Sequence, residues 1–225
     1  MKAAIAVVIA AYNEAEALEP VVRGALAYAK WVVVVDDGSL DDTAERARQA
    51  GAYVARHSVN LGQGAALQTG IDLALRLGAS YVVTFDADGQ HAAEEIEPMV
   101  QHLIATGSDV VLGSRFLGTA VNMPRSKAIT LWLAVHFTRL TTGLKLTDTH
   151  NGFRVLSRGA ARRFRIRQNR MAHASEILDQ IAGLKLRYSE FPVTITYTAY
   201  SVAKGQRVLN SVAIVKDQVM GRLAK

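Results

Sequence analysis

Tyr81-Val82-Val83-Thr84-Phe85-Asp86-Ala87-Asp88-Gly89-Gln90-His91 places a β-rich apolar run directly before two aspartates spaced by one residue. Such a run, continuous rather than alternating, is what a strand buried on both faces requires, and strands of that kind belong to parallel sheets covered by helices. Two carboxylates two residues apart, where a strand gives way to a turn, can converge on one hard cation. Asp88 and Gln90 share that spacing, and His91 is a further candidate ligand. Such oxygens suit Mg2+ or Mn2+, which keep positions open for substrate phosphates. The ion would stabilise a diphosphate as a leaving group. A plainer reading is that aspartates end strands because turns favour them.

The same pattern recurs on either side of this stretch. Apolar strands are expected at residues 5–9, 31–35, 53–56 and 110–112, and helices at 15–29, 42–50, 64–77 and 93–106. This alternation predicts a doubly wound α/β domain. In such sheets ligands bind outside the carboxyl ends of the strands. The residues there are Tyr12-Asn13-Glu14, Asp36-Asp37-Gly38-Ser39, residues 57–63, Asp86 to His91, and Gly113-Ser114-Arg115. Beyond residue 125 the pattern changes to an apolar helix at 126–142, a strand at 152–156 and a helix at 175–182. A strand follows at 186–197, with Pro192 marking an edge or a bulge. Val208, Val212, Val215 and Val219 share one face of a last helix. It either docks on the domain, the commoner outcome, or lies on a membrane.

Two other motifs sit at the same edge. The acids of Asp36-Asp37-Gly38-Ser39 can accept from a ribose hydroxyl or a base N–H, or form a turn and helix cap. Asn60-Leu61-Gly62-Gln63-Gly64-Ala65-Ala66 precedes a helix and allows close backbone approach to a ligand. It lacks the third glycine of a dinucleotide fingerprint, and no P-loop occurs, which counts against dehydrogenases and NTPases.

The 225 residues suffice for one sizeable domain. The absence of cysteine excludes disulfides, thiolate zinc sites and a cysteine nucleophile. Residues 5–9 read as a buried first strand, in preference to a short signal peptide over residues 1–11. No apolar run reaches the ~18–20 residues of a membrane span. Net charge is +6, with Arg158, Arg162, Arg163, Arg165, Arg167 and Arg170 close together. Aromatics are not interleaved with this run and no nucleic-acid motif is present, so nucleic acid is not an expected partner.

Six segments in order resemble glycosyltransferase family 2, over roughly residues 4 to 200. They are Val8-Ile9-Ala10-Ala11-Tyr12-Asn13-Glu14, Val34-Val35-Asp36-Asp37-Gly38-Ser39, the Asn60 to Ala66 segment, Asp86 to His91, Gly113-Ser114-Arg115-Phe116, and Asp148-Thr149-His150-Asn151-Gly152-Phe153-Arg154. The nearest likeness is to the non-processive, dolichyl-phosphate-mannose-synthase-like branch; the Q-x-x-R-W signature of processive synthases is absent. The resemblance implies an α/β fold of the GT-A (Rossmann-like) type, with a doubly wound, mostly parallel sheet. It divides the chain into a domain at 1–200, with a nucleotide-sugar half (1–115) and an acceptor half (116–200), and a C-terminal amphipathic helix at 201–225.

The resemblance also implies an inverting transfer from a nucleotide diphosphate sugar to a polyprenyl-phosphate, lipid-linked or glycan acceptor, in surface-polysaccharide or glycolipid assembly. Ala11, Tyr12, Glu14, Asp37, Gly62, Gln63, Asp86 and Arg115 would serve the nucleotide sugar. Asp88, Gln90 and Asp86 would hold the metal. Asp148, then Glu176, are the candidate bases for an alcohol acceptor. A phosphate acceptor needs no base but a cationic clamp, for which Arg154, Lys204 and Arg207 are candidates. Gln63 stands where the family commonly has lysine. The expected location is cytoplasmic, with peripheral contact to the inner face of the membrane left open. The alternatives are a sugar-1-phosphate nucleotidyltransferase, disfavoured by Ala11 to Glu14 after the first strand, and a non-catalytic nucleotide-sugar-binding or scaffolding subunit.

Overall fold

The computed structural model describes residues 4–123, 125–169 and 172–198. The last helix expected at 201–225, with Lys204 and Arg207, lies outside the described residues. β1 (Ile5–Ala11), α1 (Leu18–Tyr28), β2 (Trp31–Asp36), α2 (Thr43–Gln49), β3 (Tyr53–Arg56), α3 (Gln63–Arg76) and β4 (Tyr81–Asp86) alternate along the first part of the chain. A 3₁₀ turn at Ala93–Glu95 leads into α4 (Ile96–Thr106). Then follow β5 (Val110–Val121), α5 (Arg125–Thr142), β6 (Arg154–Ser157), α6 (Arg158–Arg163), α7 (His173–Gly183) and β7 (Tyr188–Thr196).

These strands form one seven-stranded sheet in the order β3-β2-β1-β4-β6-β5-β7. β6 runs antiparallel to both of its neighbours, and the other pairings are parallel. Val32, Val33, Val34 and Val35 are all fully buried. Uncovering either face of β2 would expose two valines, at roughly 1.5–3 kcal/mol each, so the continuous apolar run needs a helix layer on both sides. Val7, Ile9, Val32 and Val34 pack into one core with α1, α2 and α4. Ala6, Val8, Val33 and Val35 pack into the other with α3, α6 and α7.

Two departures from the sequence reading have physical causes. β5 continues to Val121, well past residue 112, because β7 pairs with it across a register shift between Ser114 and Thr119. The expected boundary between residues 115 and 116 therefore falls inside a strand. Pro192 sits opposite Ser114 at that shift, on the edge strand β7, where its missing N–H costs no ladder bond. α6 was not expected. It is a short arginine-rich helix started by Ser157, whose Oγ accepts from the Ala160 amide at 3.1 Å.

Candidate active site

β1 is followed in the sheet by β2 on one side and β4 on the other, so the chain reverses its direction of travel between them. A crevice opens at such a switch point, at the carboxyl ends of the strands. Ala11 ends β1 and Asp86 ends β4, with Ala10 and Asp86 in register. The loops after β1 and β2 are sewn together: the Asn13 amide donates to Ser39 Oγ (2.9 Å), the Glu14 amide to Thr43 Oγ1 (2.8 Å) and the Leu40 amide to Asn13 Oδ1 (2.9 Å). This leaves the Tyr12 ring exposed at the rim.

Asp86 and Asp88 face this crevice. His91 Nε2 lies 2.9 Å from Asp86 Oδ2, and the His91 ring is wedged against Phe85 and Phe153. Burial alone would raise Asp86, but the bond to His91 and the charges of His91, Arg154 and His173 outweigh it and hold the carboxyl below its usual range. Asp88 goes the other way. Burial first, then the charge of Asp86, push it up to about 6, and Glu14 adds to the effect. The Gln90 amide donates to Asp88 Oδ1 (3.1 Å), while the Gln90 carbonyl accepts from Thr196 and so ties the loop to β7. Two carboxylates from one strand end, with a histidine partner on Asp86, supply hard oxygen donors. That donor set fits Mg2+ or Mn2+. Among the described residues no group of three or more His, Cys, Asp or Glu is placed to hold a metal ion. Beside Asp88, a cavity of about 450 Å³ runs between α1 and the loop after β4, lined by Pro20, Val21, Phe85, Gly89 and His91.

Asp37 does not point a free carboxylate at the crevice. Its Oδ1 accepts from the Leu61 amide (3.0 Å) and lies 2.7 Å from His57 Nδ1; its Oδ2 accepts from the Gly62 amide (2.7 Å). His57 Nε2 in turn lies 3.0 Å from Thr69 Oγ1 on α3. Asp37 thus fixes the glycine-rich loop that holds Gly62 and Gln63. Gly64, one residue into α3, allows another close approach. An added Cβ would lie 1.9 Å from the Gln168 carbonyl oxygen.

Arg115, Asp148 and Arg154 lie on the other flank, around residues 148–154. Arg115 Nε donates to Asp148 Oδ2 (2.6 Å), Nη1 to Tyr197 Oη (2.6 Å) and Nη2 to the His150 carbonyl (2.6 Å). Asp148 also accepts from the Arg115 amide and, through Oδ1, from the His150 amide. Both side chains are buried. Arg115 spends each of its nitrogens inside the protein, and Asp148 has both oxygens occupied. Glu176, the second candidate base, takes the Arg167 and Gln168 amides at 2.7–3.0 Å. It holds a loop and presents no free carboxylate. Arg154 is buried in β6, where burial lowers its pKa against the opposing charges of Asp86 and Asp148. It supports Asp86 from within the sheet. Burial also drives His150 down to about 4, helped by the charges of Arg115 and Arg154.

Sequence reasoning missed the parts played by His57, Tyr197 and Gly152. Tyr197 and Arg115 are 82 residues apart, and no local pattern links them. Gly152 was legible only as one residue of a motif.

Known proteins resemble this chain in sequence and fold. The family described as Glycosyl transferase family 2 matches residues 6–165. A UDP-N-acetylglucosamine–dolichyl-phosphate N-acetylglucosaminyltransferase of Methanococcus voltae is 32% identical over 98% of this chain and 97% of its own length. A polyprenol monophosphomannose synthase of Mycolicibacterium smegmatis is 34% identical over 68% of this chain and 61% of its own. Among solved structures, glucosyl-3-phosphoglycerate synthase of Mycobacterium tuberculosis superposes with a TM-score of 0.74 at 20% identity, covering 99% of this chain and 80% of that one.

Proposed function

Because the chain belongs to glycosyl transferase family 2, and so is a glycosyltransferase with the GT-A fold, we propose that it moves a sugar from a nucleoside diphosphate sugar to a polyprenyl phosphate, with a divalent metal at Asp86 and Asp88. The observation that carries the reading is the Asp86–Asp88 pair at the sheet's switch point, where burial and the charge of Asp86 push Asp88 up to about 6. Bound there, Mg2+ or Mn2+ would neutralise the diphosphate as it leaves. The rim of Tyr12 and the loop set by Asp37 would seat the nucleoside, and Ala11 leaves room for close approach.

The acceptor class follows from what the carboxylates do. An alcohol must lose a proton on attack and needs a base within hydrogen-bond reach. Asp148 and Glu176 are both engaged within the protein. A phosphate monoester is already an anion. Its oxygen can attack the anomeric carbon while the bond to the diphosphate oxygen breaks, with no proton to remove. This agrees with the relatives named for dolichyl-phosphate and polyprenol acceptors.

The test is transfer of label from UDP-N-acetylglucosamine or GDP-mannose to a polyprenyl phosphate, compared with the matching polyprenol, with and without chelator. Metal-dependent transfer to the phosphate alone is expected. Transfer to the free alcohol at a comparable rate would overturn the acceptor assignment, and chelator-insensitive transfer would overturn the metal.

A further inference from the structure

α5 is apolar on both of its faces. Leu131, Ala134, Val135 and Thr138 are buried, and the helix packs on α7. On the opposite side Ile129, Trp132, Leu133 and Leu140 are 63%, 56%, 57% and 86% exposed. With His136 between them, these positions follow the spacing i, i+3, i+4, i+7, i+11, which at 3.6 residues per turn makes one stripe facing solvent. A helix on a globular surface ordinarily turns charge to water; an apolar outer stripe calls for a second apolar partner.

Charge indicates which partner. From Val110 to Thr147 the sequence has no Asp or Glu, yet it carries Arg125, Lys127, Arg139 and Lys145 besides the buried Arg115. Phe116, Leu117 and Val121, also exposed, lie in the same acid-free stretch on the far half of β5. An exposed apolar stripe within a stretch of sequence that carries cations and no acids complements a surface that is apolar beneath and anionic at its boundary. Among the described residues no helix is long and apolar enough to cross a membrane, so such a helix would lie in the plane of the interface.

We propose that α5 is a docking helix for an anionic lipid membrane, with Ile129, Trp132, Leu133 and Leu140 entering the headgroup–acyl boundary. This deepens the reading of a lipid-linked acceptor by stating how the enzyme reaches it. It is tested without donor or acceptor, so the two readings fail separately.

The chain has two tryptophans, and Trp31→Phe leaves Trp132 as the sole reporter. In the full-length chain without vesicles, Trp132 should emit as a solvent-exposed indole. Vesicles of phosphatidylcholine with phosphatidylglycerol should blue-shift it, brominated acyl chains should quench it, and salt should reverse both effects. The double variant Trp132→Ser/Leu133→Ser should bind these vesicles about tenfold or more weakly with an unchanged circular dichroism spectrum. Three results would each overturn the proposal. One is the absence of any shift with vesicles. Another is emission already blue-shifted without them, which would mean that residues 199–225 or a second copy cover the stripe. The third is undiminished vesicle binding by the double variant.

Discussion

The backbone of Gly152 lies against the carboxylate of Asp86: a Cβ added there would fall 2.3 Å from Oδ1 and 2.4 Å from Oδ2. The Gly152 carbonyl is fixed from the other side by Thr84 Oγ1 at 2.6 Å. One methyl group therefore has nowhere to go unless Asp86 moves. Gly152→Ala should cost roughly 1–3 kcal/mol through overpacking and displace the carboxylate. Thermal unfolding should show a folded protein of lower melting temperature. Titration with manganese, followed by electron paramagnetic resonance, should show weakened binding. Wild-type metal affinity in this variant would refute the assignment of Asp86 to the ion.

Asp88→Asn should separate function from stability. Folded Asp88 holds its proton up to about pH 6, while an unfolded aspartate releases it near 3.8. The folded state therefore binds the proton more tightly, and this group's contribution to stability falls as pH rises from about 4 to 6, then stays flat. Asn carries no such charge. At neutral pH the variant should match or exceed wild type by about 1–3 kcal/mol, while losing metal-dependent nucleotide binding. Denaturant unfolding at several pH values, paired with calorimetric titration of UDP and GDP with manganese, checks both. A fully active Asp88→Asn enzyme would count against the mechanism.

His150 should titrate with the opposite sign. Its folded pKa is depressed to about 4 from 6.5, mainly by burial. Above pH 6.5 it is neutral in both states and contributes nothing. As pH falls from 6.5 through 4 the unfolded chain gains a proton that the folded one resists, and stability drops by about 2–3 kcal/mol. His150→Asn should flatten that part of the stability profile. An unchanged acid slope would place the titration elsewhere.

Asp37→Ala should act on a loop rather than on a bond to substrate. It strips acceptors from the Leu61 and Gly62 amides and from His57. Each stranded buried donor costs about 1–3 kcal/mol. Hydrogen exchange should show the Leu61 and Gly62 amides losing protection first, with nucleotide affinity falling alongside. Unchanged exchange at those amides would show that the carboxylate does not organise the loop.

β1, β2 and β4 were legible because each is buried on both faces and so writes an unbroken apolar run. The Asp86–Asp88 pair was legible for the same reason, as polar residues directly after such a run. α6 was not, since Arg158 to Arg163 show no apolar periodicity and the helix rests on the Ser157 cap and two buried alanines. The extension of β5 was hidden because its far half is half-exposed and held by an edge strand. The sequence motif marked Arg115 and Asp148 as a pair of interest without saying whether they face a ligand or each other. Which of the two holds depends on burial, and burial is a property of the packed chain.

The antiparallel course of β6 has a consequence for how the enzyme comes into being. Because β6 runs backwards, its beginning, not its end, reaches the edge where β4 finishes, and it enters between two strands already separated by the length of α4. Asp86 is synthesised some 66 residues before Gly152, the backbone that confines it. A sheet of β3, β2, β1 and β4 without β6 would leave β4 as a bare edge and its acids unsupported. Closure of that contact between distant parts of the chain is slow by topology. Catalytic competence should therefore be the last property a newly made molecule acquires, arriving after most of its secondary structure.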